Sequence, residues 1–294
     1  MSSHPRLEDL HATITKHGPG EFGQTVVAYE QAFHDEQAPY YDDLHTDREP
    51  LRTYCRVLIE DIHRLTQGAE YVVDLCAGTG KSSLPLLERG VPVVAIDVSA
   101  EMLRVYRRKA AGNPNLTLIH ADATNPPLEP NTCPAILMIG GLHHIPNREL
   151  AVANACRALR PGGVLIIHEP LITGRTHWLV PTLRNIDALT DLRRVARAFR
   201  RRMGWRHKIE PTSDDRLDFT PFERSFTSPE ELTALIPRHM RILDLRSRMM
   251  LSDYAVGQHL RSLATLIVAV DNWLSRSGRA GWSGNAIWGV FQKP

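Results

Sequence analysis

The sequence predicts an α/β protein in which a doubly wound, parallel sheet is covered by helices on both faces. The middle of the 294-residue chain alternates short β-branched runs with helical patterns, which is typical of such a sheet. A glycine-rich turn follows the first of these strands, at the position where open α/β sheets bind ligands. The composition, 43% apolar and 23% charged, is that of a globular protein and excludes a disordered chain or a membrane bundle.

Five strands are predicted in the middle of the chain. The helix after the first strand ends at Gly90, a residue type that commonly adopts the left-handed conformation just beyond a helix. The turn Arg160–Gly163 leads into the fifth strand. The predicted strands are Tyr71–Leu75, Val93–Asp97, Leu116–His120, Ala135–Ile139 and Val164–His168, and the predicted helices are Lys81–Arg89, Ala100–Ala111 and Asn147–Leu159.

The regular alternation ends after the fifth strand. A helix is predicted around Thr182–Arg202, in a segment rich in arginine and proline. Another helix begins at Ser228, with Pro229 in its first turn and Glu231 completing a capping box. The last predicted elements are the strands Arg241–Arg246 and Ile287–Gln292 and, between them, a helix near Tyr254–Arg276.

This order of elements divides the chain into four parts. Residues 1–70 are predicted to form an N-terminal helical cap, and residues 71–170 form the ligand-binding core. Residues 171–237 are an insertion that covers the substrate, and residues 238–294 return to the core sheet with a helical insertion of their own. One α/β core therefore carries two elements that can act as lids.

Charge, cysteines and hydropathy limit the class of protein. The net charge of +2 creates no overall field toward nucleic acid, and no pattern of metal ligands stands out, so neither nucleic acid nor metal is predicted. The four cysteines contain no CxxC pair and are interpreted as reduced thiols of a cytoplasmic protein. The most apolar stretch, Leu263–Val270, is far shorter than the roughly 20 residues that cross a bilayer. The sequence leaves open whether two copies form a homodimer.

The glycine turn Asp74–Gly80 favours a nucleoside without phosphate. A P-loop requires glycine at the position of Leu75, and a dinucleotide site requires glycine at the position of Ser83. The carboxylate of Asp74 would also repel a pyrophosphate. A ligand with a cationic amino group and no phosphate, such as S-adenosylmethionine, fits the turn better.

Polar residues also follow the next three strands. Asp97 ends the second strand, where a carboxylate can accept both hydroxyls of a ribose. Asp122 and Ala123 follow the third strand and offer a side-chain acceptor beside a backbone N–H, which suits an adenine. Gly140 opens the segment Gly-Gly-Leu-His-His-Ile after the fourth strand. Because the carboxyl ends of parallel strands lie at one edge of a sheet, these residues are expected to meet.

Five motifs in order resemble those of class I S-adenosylmethionine-dependent methyltransferases of the small-molecule type. The motifs are VVDLCAGTGKSSLPLLERG, VVAIDVSAEML, IHADATNPPL, ILMIGGLHHI and CRALRPGGVLIIHEP, and SFTSPEELTALI resembles a later helix of the same family. The resemblance implies a Rossmann-like, seven-stranded and mostly parallel sheet whose last strand is antiparallel to the others.

The resemblance also implies the residues that bind the cofactor S-adenosylmethionine. Asp74 and the turn would hold its methionine end, Asp97 its ribose and Asp122 its adenine, while Tyr40-Tyr41-Asp42 resembles the tyrosine element that closes over the cofactor. Cys76 stands where the family usually has glycine, so its backbone is expected to stay in a region open to other residues. The full predicted set is Tyr41, Asp74, Cys76, Ala77, Gly78, Gly80, Ser82, Asp97, Val98, Met102, Asp122, Ala123 and Gly140.

Three residues are candidates for the chemistry. His143 and His144 follow the fourth strand, and in the resembling family the residue at this place often faces the methyl donor. Histidine can take a proton near neutral pH. His143 is the preferred base, and Glu169, after the fifth strand, can orient the substrate or act as a buried acceptor. A base is needed only where the nucleophile carries a proton.

The predicted function is methyl transfer from S-adenosylmethionine to an oxygen or nitrogen of a small molecule, such as a secondary metabolite. The arginine-rich segment Arg193–Lys208 is interpreted first as a solvated helix face. It also motivates the alternative that RNA or protein is the substrate. A further alternative is a non-methylating member of the fold, such as a cyclase.

Overall fold

The computed structural model describes residues 23–42, 51–172, 224–249, 264–278, 281–282 and 284–294. They contain a seven-stranded sheet with the order β3-β2-β1-β4-β5-β7-β6. Strand β7 runs antiparallel to both of its neighbours, and every other neighbouring pair is parallel. The predicted α/β fold and its single antiparallel strand are confirmed.

The strands lie close to their predicted positions. They are β1 (Val72–Leu75), β2 (Val93–Asp97), β3 (Leu116–His120), β4 (Cys133–Ile139), β5 (Leu159–Pro170), β6 (Arg241–Arg248) and β7 (Ala286–Gln292). The helices are α1 (Gly23–Gln37), α2 (Leu51–Leu65), α3 (Leu84–Leu87), α4 (Ala100–Lys109), α5 (Arg148–Ala158), α6 (Pro229–Leu235) and α7 (Ala264–Arg276), and a short 3-10 helix spans Leu142–His144.

Both faces of the sheet are covered, because successive side chains of each strand point in opposite directions. One face packs Ile136 and Met138 of β4 against α5 and α6. The other face packs Ala135 and Leu137 of the same strand against α2 and α3. Tyr106 of α4 is fully buried on that second side of the sheet. This arrangement is the doubly wound core that the apolar strands predict.

Local sequence explains where several helices begin. Helix α3 is shorter than the predicted Lys81–Arg89, since Pro85 lacks an N–H and is tolerated only in the first turn of a helix. The side chain of Asn147 accepts the backbone N–H of Leu150 and caps α5.

Ser228 likewise caps α6 by accepting the backbone N–H of Glu231. The carboxylate of Glu231 binds the backbone N–H and the hydroxyl of Thr227, one residue earlier than a standard capping box requires.

The strand order reverses between β1 and β4, which is the point where open α/β sheets bind ligands. The loops after β1 and β4 meet there, and helix α1 lies beside them: Asp35 accepts a hydrogen bond of 2.6 Å from Ser99 at the start of α4. Within the described ranges, no helix is both long and apolar enough to cross a membrane. The predicted helices Thr182–Arg202 and Arg193–Lys208 lie outside the described residues.

Candidate cofactor and acceptor site

A cleft with an empty volume of about 720 Å³ lies at the carboxyl ends of the strands. Nine of the thirteen residues predicted to bind the cofactor line it. They come from the glycine turn, from the ends of β2, β3 and β4, from the start of α4 and from Tyr41. The nine are Tyr41, Cys76, Gly78, Asp97, Val98, Met102, Asp122, Ala123 and Gly140.

The turn brings Cys76 against the loop that follows β4. Cys76 has a φ of +71°, in the left-handed region that favours glycine, so the prediction that its backbone avoids this region is wrong. The reason is the sharp reversal after β1, where the backbone N–H groups of Cys76 and Ala77 both bind the carbonyl of Ile96. Cys76 stores backbone strain of about 1–2 kcal/mol at the floor of the cleft.

Gly141 is expected to tolerate a side chain only when Cys76 is removed. A Cβ at Gly141 would overlap the Cβ of Cys76, although the φ of −127° at Gly141 suits any residue. Gly141→Ala should therefore destabilise the protein by about 1–3 kcal/mol. In a Cys76→Gly background the same change should cost less than about 1 kcal/mol. Urea unfolding of the two single variants, the double variant and the wild type measures this coupling. Equal costs in both backgrounds would rule out the contact.

Asp97 lines the cleft at the end of β2. Its carboxylate accepts the backbone N–H of Gly78 at 2.7 Å and that of Ser99 at 2.8 Å. Burial raises the pKa of Asp97, and these two donors act in the opposite direction. Each oxygen keeps a further lone pair, so the group can still accept the hydroxyls of a ribose.

Asp122 and Ala123 line the far end of the same cleft. The carboxylate of Asp122 accepts the backbone N–H of Thr124 at 2.7 Å, which fixes its orientation. Ile145, after the 3-10 helix, and Met102 of α4 add apolar lining. This part of the cleft therefore combines apolar side chains with a polar edge.

Asp74 lies behind the turn rather than in the cleft. Strand alternation points its side chain toward α4, where it accepts a 2.5 Å hydrogen bond from Ser83, whose hydroxyl lies 2.8 Å from that of Tyr106. Asp74 is 1% exposed and lines neither the cleft nor the cavity beside it. In this position Asp74 supports the turn from behind, and its direct contact with the methionine end stays a prediction.

As the pH rises, the Asp74→Asn variant is expected to become more stable relative to the wild type. Burial raises the pKa of Asp74 to about 7, so the folded protein binds more protons than the unfolded chain between about pH 4 and pH 7. Wild-type stability contributed by this group therefore falls as the pH rises through that window.

Asparagine keeps the acceptor for Ser83 and does not titrate. The difference in unfolding free energy between Asp74→Asn and wild type should grow by about 2–4 kcal/mol from pH 4 to pH 8, as measured by denaturant unfolding at each pH. Parallel pH profiles for the two proteins would contradict the assignment.

The N-terminal segment is tied to the glycine turn. Asp42 accepts a hydrogen bond from the Thr79 hydroxyl at 2.6 Å and pairs with Lys109 at 2.7 Å. Tyr41 lines the cleft, and desolvation raises its pKa to about 12, so it stays a neutral donor. The predicted tyrosine element therefore lies at the cofactor cleft.

His143 and Glu169 form a buried pair. Nδ1 of His143 lies 2.7 Å from a carboxylate oxygen of Glu169. Glu169 also accepts the backbone N–H groups of Gly141, Leu142 and His143. Burial alone would raise the pKa of Glu169, but these hydrogen bonds outweigh it and lower the pKa. The ionised Glu169 thus fixes both the 3-10 helix and the ring of His143.

A second cavity, with an empty volume of about 1930 Å³, adjoins the cleft. His143, Ala77, Gly80 and Ser82 line this cavity and not the cleft, whereas Glu169 lines neither. Tyr41, Cys76, Gly78, Gly140 and His144 line both spaces, so the two spaces are direct neighbours.

His168 also lines the second cavity. It lies 2.7 Å from the hydroxyl of Tyr54, and burial lowers its pKa to about 3, which keeps it neutral. The sequence prediction did not include His168.

Sequence reasoning also missed Glu30 and His34, two residues of α1 that line the cleft. Their i, i+4 spacing places them on one face of the helix, and this spacing is the signal that could have found them. What the sequence could not supply is the packing of α1 against the cleft, which depends on contacts such as that between Asp35 and Ser99.

Comparisons with known proteins agree with this geometry. Residues 72–163 match the methyltransferase domain family. A demethylmenaquinone methyltransferase of Paenarthrobacter aurescens (strain TC1) is 34% identical over 154 residues, which cover 52% of this chain and 57% of that protein. Its counterpart in Clavibacter sepedonicus is 39% identical over 100 residues, covering 34% and 41%. The chain thus spans about half the length of the curated relatives it matches.

Solved structures show the same fold at low sequence identity. The cyclase SpnF superposes with a TM-score of 0.58 at 15% identity, covering 90% of this chain and 96% of that one. A protein of Thermotoga maritima, described as an S-adenosylmethionine-dependent methyltransferase and possible histamine N-methyltransferase, gives a TM-score of 0.52 at 14% identity, with 90% and 99% covered. At these identities the likeness concerns the fold alone.

The fold is Rossmann-like, and the cleft lies at the switch point of its sheet. Residues 72–163 belong to the methyltransferase domain family, and the fold is that of S-adenosylmethionine-dependent methyltransferases of known structure. The cofactor that this membership implies is S-adenosylmethionine.

Proposed function

We propose that the chain transfers a methyl group from S-adenosylmethionine to an oxygen or nitrogen of a small molecule. The observation that carries the proposal is that the cleft and the second cavity are direct neighbours and share five lining residues. A donor in the cleft and an acceptor in the cavity would meet at this junction.

The cleft residues fit the cofactor's three chemical parts. Asp97 would accept the ribose hydroxyls, and Asp122 with the backbone N–H of Ala123 would bind the adenine edge. The turn at Gly78, supported from behind by Asp74, leaves room for the methionine end, since a left-handed glycine lets the backbone approach a ligand closely. When bound, S-adenosylmethionine supplies a methyl group on a cationic sulfur.

His143 is proposed as the base that takes the proton of the acceptor. Glu169 lies 2.7 Å from Nδ1 of His143 and fixes its ring, and His143 lines the cavity in which a hydroxyl or ammonium group of the acceptor would lie. Positioning carries most of the rate enhancement in a displacement of this kind, since well-oriented groups can supply roughly 7–11 kcal/mol. The base adds to it where the nucleophile carries a proton.

The cavity wall supports an acceptor with an apolar body and a polar or anionic group. Leu58, Ile62 and Ile139 contribute apolar surface, and the cationic side chains of Arg56 and Lys81 also line the space. The curated relatives are named for demethylmenaquinone, which agrees with a small acceptor of mainly apolar character.

The test is methyl transfer to a panel of acceptors with radiolabelled S-adenosylmethionine. The panel contains phenols, amines, a demethylated quinol, bulk RNA and a protein extract, and S-adenosylhomocysteine is quantified in parallel. We expect label in a small-molecule fraction and none in RNA. Labelling of RNA or protein alone, or cofactor binding without S-adenosylhomocysteine from any class, would contradict the proposal.

A further inference from the structure

Three potential metal ligands converge on one point at the wall of the cleft. Glu30 and His34 come from α1, and His144 ends the 3-10 helix after β4. One ligand atom from each residue lies within 4.8 Å of the other two. All three residues line the cofactor cleft, and His144 also lines the acceptor cavity.

The carboxylate of Glu30 is buried but makes no hydrogen bond to the described residues. Glu30 is 4% exposed, and both of its carboxylate oxygens lack a hydrogen-bond partner there. Among the described residues, its polar contacts are ion-pair contacts with His34 and His144. A buried carboxylate that makes no hydrogen bond and lies between two histidine nitrogens is well placed to share a metal ion with them.

The spacing of the three groups suits a tetrahedral metal ion. Oε2 of Glu30 lies 3.4 Å from Nε2 of His34 and 3.2 Å from Nδ1 of His144. Two ligands about 2.0–2.1 Å from a zinc ion are about 3.3–3.4 Å apart at the tetrahedral angle. These separations therefore match two edges of a zinc tetrahedron.

Rigid elements hold all three side chains. The i, i+4 spacing of Glu30 and His34 puts them on the same face of α1. The ring of His34 lies edge-on to that of His144, with 5.1 Å between centroids, and contacts the ring of Phe33 at 5.5 Å. Glu169 accepts the backbone N–H groups of Leu142 and His143 and so fixes the backbone before His144. Little reorganisation is needed to form the site.

We propose that Glu30, His34 and His144 bind a divalent transition-metal ion, with Zn²⁺ as the representative. Two imidazoles and one carboxylate are a donor set suited to zinc and other first-row metals. The three protein ligands leave one coordination position open, and it faces the cleft, where a water or a donor atom of the acceptor can occupy it. No such site follows from the sequence alone, because its ligands come from two separate parts of the chain.

The test is metal binding by the chelator-treated full chain. Zn²⁺ affinity is measured by competition with a chromogenic chelator, and the visible absorption of a Co²⁺-substituted sample reports the coordination. Loss of an outer-shell partner typically costs about 10–100-fold in metal affinity, so removal of a ligand by Glu30→Gln should cost at least about 100-fold. His239→Ala, which removes an exposed histidine elsewhere, is the control and should leave the affinity unchanged.

His34→Gln provides a second variant in case Glu30→Gln does not fold. We expect one tight equivalent of Zn²⁺ in the wild type and in His239→Ala, and its loss in both ligand variants. Equal affinity and the same Co²⁺ spectrum in all the proteins that fold would overturn the proposal. Because these readouts do not involve methyl transfer, they are independent of the proposed function.

Discussion

Replacing Asp97 with alanine is expected to weaken S-adenosylmethionine binding by at least about 100-fold. Hydrogen bonds to a charged group contribute about 1.5–3 kcal/mol each, and two ribose hydroxyls would lose theirs together. A total of about 3 kcal/mol corresponds to roughly 100-fold in the dissociation constant. Isothermal titration of wild type and variant with the cofactor measures the effect directly.

Two further variants separate binding from folding. Asp97 also accepts the N–H groups of Gly78 and Ser99, so Asp97→Asn, which keeps one acceptor oxygen, should bind with intermediate affinity. Glu70→Gln removes an exposed carboxylate before β1, at the opposite edge of the sheet, and should bind like wild type. Wild-type affinity in a folded Asp97→Ala protein would show that the ribose lies elsewhere.

The second large effect concerns His143. His143→Ala is expected to lower turnover by about 100-fold or more on an acceptor that carries a proton, since positioned bases contribute about 10²–10⁴-fold. The dissociation constant of the cofactor should stay within about threefold, because His143 lines the acceptor cavity and not the cofactor cleft. Single-turnover kinetics and cofactor titration of the same preparation separate the two quantities.

Glu169→Gln tests how the base is held. This variant keeps one acceptor for the 3-10 helix and removes the negative charge beside His143, so turnover should fall while the cofactor still binds. His63→Gln, at the end of α2 and outside the lining of both spaces, is the matched control.

Unchanged turnover in His143→Ala would show that His143 is no base.

The fold could be predicted almost completely from the sequence. All seven strands overlap their predicted positions. The reason is clearest for β1, β2 and β4, which are buried parallel strands and appear in the sequence as apolar, β-branched runs between turn residues. The exceptions have local causes. Pro85 shortens α3, and β5 extends through the turn at Gly162, whose φ is +78°, with a register shift against β4.

The candidate site was predictable where a residue's position on a strand determines its direction. Asp97 and Asp122 follow strand ends and line the cleft as expected. Asp74 does not line the cleft, because strand alternation within β1 points its side chain toward Ser83 and Tyr106. The backbone conformation of Cys76 was predicted wrongly because residue type alone does not determine φ. At this turn the surrounding contacts hold the residue in the left-handed region.

We propose that S-adenosylmethionine occupies the cleft with its ribose on Asp97 and its methyl end toward the cavity that His143 lines. A crystal structure with S-adenosylhomocysteine is the decisive measurement. We expect the ribose hydroxyls within hydrogen-bond distance of the Asp97 carboxylate, the adenine beside Asp122 and Ala123, and the sulfur next to Gly140 and Tyr41. A ligand bound outside this cleft, or one with its sulfur directed away from His143, would contradict it.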